Sequence, residues 1–150
     1  MTWRMGLALV ALCGLLIASY IALHDLGYIG TIACGTGGCE TVQTSRWATF
    51  LGIKVAVWGV AYYLLVFALA MASTTASFAD ARWLPPAMVG LTGWGVAFSA
   101  WLTYLELFRI HAICRWCVGS AGVVTLLFVL ALLDWRMARR LNSPGARTGP

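Results

Sequence analysis

Two pairs of cysteines hold the chemistry open to this chain. Cys114 and Cys117 form a C-x-x-C within ICRWC, and Cys34 and Cys39 bracket four residues in CGTGGC. Two cysteines three apart at the start of a helix lie on one face of its first turn. The partial positive charge of a helix N-terminus favours a thiolate, and so does Arg115 between the two. The thiolate is the reactive form of cysteine, so this pair suits reversible disulfide exchange. The loop pair differs. Gly35, Gly37 and Gly38 lie within six residues and leave the backbone permissive. A bond there closes a short, mobile ring whose cysteines can change partners. The same residues also fit a static disulfide in either place, or a zinc site built from both pairs. A second pair set at a helix start beside a membrane weighs against zinc, and no metal is expected. Cys13 lies alone in an apolar run and reads as a small packing residue.

The elements that position these cysteines must be membrane helices. Of 150 residues, 61% are hydrophobic and 10% charged, more apolar surface than a soluble domain of this size can hide. Met5 to Leu23, Val55 to Ala79, Trp83 to Leu105 and Trp116 to Leu133 carry no charge. Each approaches the roughly 20 residues that cross a bilayer. The last is slightly short, so its helix is expected to begin near Ala112. The first is long, lacks a cleavage site and is followed by three more, which sets it apart from a secretory signal. Spans are expected over about 5–23, 52–75, 83–107 and 112–134. The predicted fold is all-α: an integral membrane four-helix bundle with an extracytoplasmic loop and a short interfacial helix. Residues 1–134 make the membrane domain and 135–150 a basic cytoplasmic tail, ending in a disordered NSPGARTGP. The net charge of +5 gathers in no basic stripe, so no nucleic acid is expected as a partner.

Arg4, Arg82 and the Arg136, Arg139, Arg140 cluster place both termini and the Ser73–Arg82 connection in the cytoplasm. Arg46, Lys54, Arg109 and Arg115 then fall outside, against the rule. Cys34, Cys39, Cys114 and Cys117 share the extracytoplasmic side, where disulfides persist. Among the other polar residues, Glu106 stands three before Arg109, a spacing that predicts an ion pair on one helix face. His111 reads as a histidine at head-group level. Trp47 and Phe50 follow a Thr44 or Ser45 cap and predict a short interfacial helix lying like a lid. GLTGWGVAFSAW, residues 90–101, is rich in small residues and predicts close helix packing.

CETVQTSRWATFLGIKVAVWG resembles the segment after the second loop cysteine in the vitamin K epoxide reductase family. Ser45 follows Cys39 by six residues, and Gly52, Ala56, Trp58 and Gly59 form the entry to the second span. LELFRIHAICRWC resembles that family's approach to its C-x-x-C, and the resemblance covers residues 5–133. It implies a four-helix bundle around a membrane quinone of the ubiquinone, menaquinone or vitamin K type. Electrons would pass from a thioredoxin-like, DsbA-like partner to Cys34, through Cys39 to Cys114, and from Cys117 to the quinone. This relay supports disulfide formation outside a bacterial inner membrane. Ser45, Trp58 and Ile110 would contact the quinone, Ser45 as a hydrogen-bonding group. Lys54 stands where many relatives carry proline, and Ala121 where the vertebrate enzymes have a tyrosine. Plain quinone reduction, rather than epoxide reduction, is therefore what carries over. Many bacterial relatives carry a fused thioredoxin domain after a fifth span. With four spans here, the partner is expected to be a separate protein. The competing reading is a membrane subunit or transporter that binds metal through the four outer cysteines.

Overall fold

The computed structural model describes residues 2–35, 38–143 and 145. Helix α1 (Thr2–Asp25) leads through an extended segment to the short helix α2 (Gly38–Thr44) and a 3-10 turn (Arg46–Ala48). A two-strand hairpin, β1 (Thr49–Phe50) and β2 (Ile53–Lys54), then feeds α3 (Val55–Ala72). The short α4 (Ala76–Ala79) precedes α5 (Leu84–Leu105), which continues as a π-helical segment (Glu106–Ile110). The last helix is α6 (Arg115–Leu141). Among the described residues, four helices are long and apolar enough to cross a membrane: Trp3–Asp25, Val55–Ala72, Leu84–Ile110 and Arg115–Leu141. The chain is an integral membrane protein.

Helix α1 packs against α3 and α6, and α5 packs against α6. Leu7, Ala11, Tyr63, Val66 and Leu127 are among the buried side chains of the bundle core. Without a hydrophobic drive between helices in lipid, close fit must hold them, and two glycines permit it. A Cβ at Gly14 would strike the Tyr63 ring, and one at Gly95 would strike Tyr62 and sit 2.7 Å from Val124. Gly95 lies in the small-residue run 90–101, whose role in packing is thus visible. The outward faces carry apolar side chains such as Leu16, Leu64 and Trp94, as a lipid-facing surface requires. Cys13 is on that outward face, so it packs toward lipid and not into the bundle.

Several boundaries differ from the sequence expectation, each for a local reason. The second helix begins at Val55, not Gly52, because Leu51 (φ 53°) and Gly52 (φ 79°) form the tight turn of the hairpin. Two positive-φ central residues suit the twist of paired strands. Phe50 therefore lies in a strand, and the interfacial lid is a single 3-10 turn joined to this hairpin. Neither expected cap forms. The Ser45 hydroxyl donates to the Val42 carbonyl at 2.7 Å, and that of Thr44 to the Glu40 carbonyl at 2.7 Å. The fourth helix begins at Arg115, not Ala112, because Cys114 is extended (φ −90°, ψ 112°) and acts as its N-cap. It then runs to Leu141, through Arg136, Arg139 and Arg140. Of the NSPGARTGP stretch, residues 144 and 146–150 lie outside the described residues, and Asn142 closes the helix.

At the end of the bundle opposite the paired cysteines, Arg4 joins three elements. Its Nε lies 3.5 Å from Asp134 Oδ1, and its Nη1 donates to the carbonyls of Ser73 at 2.7 Å and Ala79 at 3.2 Å.

Candidate functional site

The four paired cysteines meet at one end of the bundle. Cys34 ends the extended segment after α1, Cys39 sits in the first turn of α2, and the two form a disulfide with their Cα atoms 6.0 Å apart. Thr36 and Gly37, the middle of the ring whose mobility the sequence suggests, lie outside the described residues. Cys114 and Cys117 are thiols. Cys34, Cys39, Val42 and Cys114 form one buried cluster, with Ile110, Trp116 and Cys117 packed against it. Gly38 makes this possible, since a Cβ there would collide with the Ile113 carbonyl. The first turn of α2 can thus press directly on the chain that leads to Cys114. Cys34 is 5% exposed and Cys39 and Cys114 are 0% exposed. Cys34 is the more accessible of the loop pair, as the relay order requires, but it is not open to solvent. Trp116 helps to cover this region, its Nε1 donating to the Ala33 carbonyl at 3.1 Å and its ring 5.0 Å from that of Tyr20.

The C-x-x-C is arranged asymmetrically. Cys114 Sγ accepts the Cys117 backbone N–H at 3.3 Å. Gln43 Nε2 points at both sulfurs, 3.8 Å from Cys114 Sγ and 3.6 Å from Cys117 Sγ. The hydrogen bond from the Cys117 thiol holds Cys114 below the usual thiol range, outweighing burial, which pushes it up. The Cys117 backbone N–H and the Gln43 amide act in the same direction as the thiol, and the charge of Glu106 opposes them. Donors around a sulfur stabilise its charged form, so Cys114 is the thiolate of the pair. Gln43 is 6% exposed, and its own carbonyl accepts from Lys54 Nζ at 3.1 Å. Lys54, where many relatives carry proline, thus anchors the helix that carries Gln43 and Cys39. Replacing Gln43 by leucine should move the ionisation of Cys114 upward, because a donor to the thiolate is lost and burial is not. Iodoacetamide labelling of Cys114 against pH, read by mass spectrometry, checks this. An unmoved midpoint would remove Gln43 from the account.

Below the cysteines lies a cavity of about 540 Å³ among α3, α5 and α6, bordered by the 3-10 turn through Trp47. Cys117 is on its wall, together with Gln43, Ser45, Trp58, Glu106 and Ile110. The three residues expected to contact a quinone therefore line one space. Two of them have their polar hydrogens committed elsewhere. The Ser45 hydroxyl donates to Val42, and Trp58 Nε1 donates to the Phe50 carbonyl at 3.1 Å. Ser45 can only accept from a ligand, and Trp58 can offer only its ring. Tyr62 and Tyr63 also reach the cavity, with hydroxyls bound to the Leu91 carbonyl at 3.2 Å and the Ser120 carbonyl at 2.9 Å.

Glu106 corrects an expectation. It does not pair with Arg109. Its Oε2 accepts the Cys114 backbone N–H at 3.1 Å, and the residue is 5% exposed. The π winding is the reason, since it turns the next residues away from the face that an ordinary i, i+3 spacing defines. Arg109 is exposed. His111, also exposed, ends the segment in the left-handed region (φ 56°) and stands away from the thiols, at the surface. Neither Gln43 nor Glu106 stood out in the sequence as part of the site. Among the described residues no three His, Cys, Asp or Glu side chains gather as a metal site would need, and two of the four outer cysteines are bonded to each other.

A membrane bundle that sets a disulfide against a dithiol, with one thiol facing an apolar cavity, has the parts of a membrane thiol oxidoreductase. The sequence matches the model of the vitamin K epoxide reductase family over residues 5–132, and the chain belongs to this family. It is an oxidoreductase of a family whose chemistry links thiols to quinones. The residues present suit such a ligand. Ligand pockets span about 300–1,000 Å³ and are mostly apolar with a few polar groups. This cavity falls in that range, with aromatic walls and one thiol at its edge.

Proposed function

We propose that the chain is a quinone-dependent thiol oxidase. It takes electrons from a separate thioredoxin-like or DsbA-like protein through Cys34 and Cys39, and passes them through Cys114 and Cys117 to a membrane quinone. The cysteines face the extracytoplasmic side and both termini the cytoplasm. The observation that carries the proposal is the placing of Cys117. Its thiol donates to Cys114 on one side and lines the apolar cavity on the other, while the loop disulfide packs in the same cluster. One disulfide and one dithiol together represent the enzyme after electrons have moved inward and before they leave.

The chain's residues have distinct tasks in this cycle. Gln43 and the Cys117 N–H keep Cys114 charged and ready to close a bond with Cys117. Trp58, Ile110 and the two tyrosines exclude water and hold a flat ring by contact. Gln43 is the amide donor at the rim, and Ser45 is an acceptor. A bound quinone supplies the oxidising power, taking two electrons and two protons. The test is anaerobic mixing of the fully reduced protein with short-chain benzoquinones and naphthoquinones. Loss of one quinone per Cys114–Cys117 disulfide formed is the expected result. Thiols that stay reduced with every quinone would end the proposal.

A further inference from the structure

Glu106 is a buried acid without a task in this cycle. It is the one carboxylate on the cavity wall among the described residues. It opens the π segment, and the backbone of that turn folds back on it, with Ala112 N–H donating to the Glu106 carbonyl at 3.2 Å. Single π turns in α-helices are frequent at functional sites, and an ionisable side chain at membrane depth is a functional candidate by default. Its Oε2 holds the Cys114 N–H, and its side chain is within hydrogen-bonding reach of the Cys117 thiol. A neutral amide could accept that one N–H, so the hydrogen bond alone does not call for a carboxylate.

The dithiol poses a proton problem at this spot. The thiol on the cavity wall, Cys117, is the protonated one, and its proton points at Cys114. Cys114 cannot keep that proton, because its sulfur must become the nucleophile that closes the disulfide. We infer that Glu106 is the proton acceptor for the Cys117 thiol and returns that proton to the quinone side of the cavity. This inference rests on the quinone-oxidase reading. In the balanced step the Cys117 S–H bond breaks and a Glu106 O–H bond forms. Cys114 and Cys117 then join, two electrons pass to the quinone, and Glu106 gives its proton to a quinone oxygen. The second proton comes from water, since Cys114 enters as a thiolate.

The groups around Glu106 leave few rivals for this role. Cys114 and Cys117 touch it. From α2 the side chain that reaches the thiols is the neutral Gln43, and Glu40 is exposed. From α3, Tyr62 and Tyr63 reach the cavity with their hydroxyls donated to carbonyls. Arg115 on α6 and Arg109 and His111 nearest in sequence are exposed. General acid–base groups contribute about 10²–10⁴-fold.

The experiment compares wild type, Glu106→Gln and Glu106→Asp in reconstituted membranes, with a short-chain benzoquinone as oxidant. Glutamine keeps an acceptor for the Cys114 N–H and cannot take a proton. Its quinone reduction should fall about 10²-fold and lose the acid limb of the wild-type pH–rate profile, which marks protonation of the carboxylate. Reduction of the Cys34–Cys39 bond by dithiothreitol should be unchanged. Glu106→Asp should keep an acid limb with a moved midpoint, and it decides the matter if Glu106→Gln does not accumulate. A Glu106→Gln protein with the wild-type rate and acid limb, or a Glu106→Asp protein with an unmoved limb, overturns the inference and leaves Glu106 as a backbone acceptor. A wild-type protein that reduces no quinone fails at the earlier step, so the two failures are distinguishable.

Discussion

A Cys117→Ser protein will insert in the membrane, keep its Cys34–Cys39 bond, and reduce no quinone. Cys117 is the only cysteine on the wall of the cavity among the described residues, so no other sulfur can take its place. A serine hydroxyl cannot form the bond to Cys114 that releases the electron pair, and loss of a nucleophile costs orders of magnitude, here at least about 10³-fold. The fold should survive. Cys117 is only partly buried, and a hydroxyl still donates to the Cys114 sulfur. The loop disulfide is set by α2 and the segment before it, neither of which depends on this side chain. Turnover is read as quinone absorbance, and the loop bond by thiol labelling before and after reduction. Normal turnover would remove Cys117 from the reaction and with it the orientation of the relay.

Replacing Cys39 by serine should give the largest effect on the side of the protein partner. Cys39 is wholly buried beside Cys114, whereas Cys34 lies at the end of the extended segment and is slightly exposed. Exchange through a disulfide needs a resolving thiol, and Cys39 is the one that can reach inward. Without it, the Cys34 thiolate that attacks an oxidised DsbA-like partner forms a mixed disulfide with no inward route. Most of the partner should run as a reductant-sensitive band on a non-reducing gel. Adding Cys34→Ser should erase the band. A band that survives the second substitution, bound through Cys114 or Cys117, would place the entry point on the helix pair instead.

Much of this architecture was legible because lipid imposes simple rules. The four charge-free runs mark the four spanning helices, and the spacing of Cys114 and Cys117 brings them together at one helix start. Ser45, Trp58 and Ile110, named from a family resemblance, line one cavity. What escaped depends on backbone geometry with no simple period. The Leu51–Gly52 turn has an unusual residue at its first position, so the hairpin looked like the start of a helix. Gln43 lies in a polar stretch that reads as loop, and only the helical turn after Gly38 aims its amide at the sulfurs. Glu106 was assigned to Arg109 by ordinary helical spacing, which the π winding abolishes. Its true partner is a backbone N–H eight residues away, a kind of contact that side-chain patterns do not reveal.

The Arg4 junction has a mechanical consequence. Through one guanidinium it fastens the start of α1, the connection around Ser73 and Ala79, and the late turns of α6. At the cysteine end, the one ion pair among the described residues joins neighbours, His24 and Asp25, and ties no two helices together. The bundle is thus built like a pair of tongs, with a rivet at one end and jaws at the other. Thermal motion that parts the helices is expressed at the jaws, where local opening is cheapest. That is the end where a buried disulfide must be uncovered to an outside thiol and a flat ring must slide in from the side.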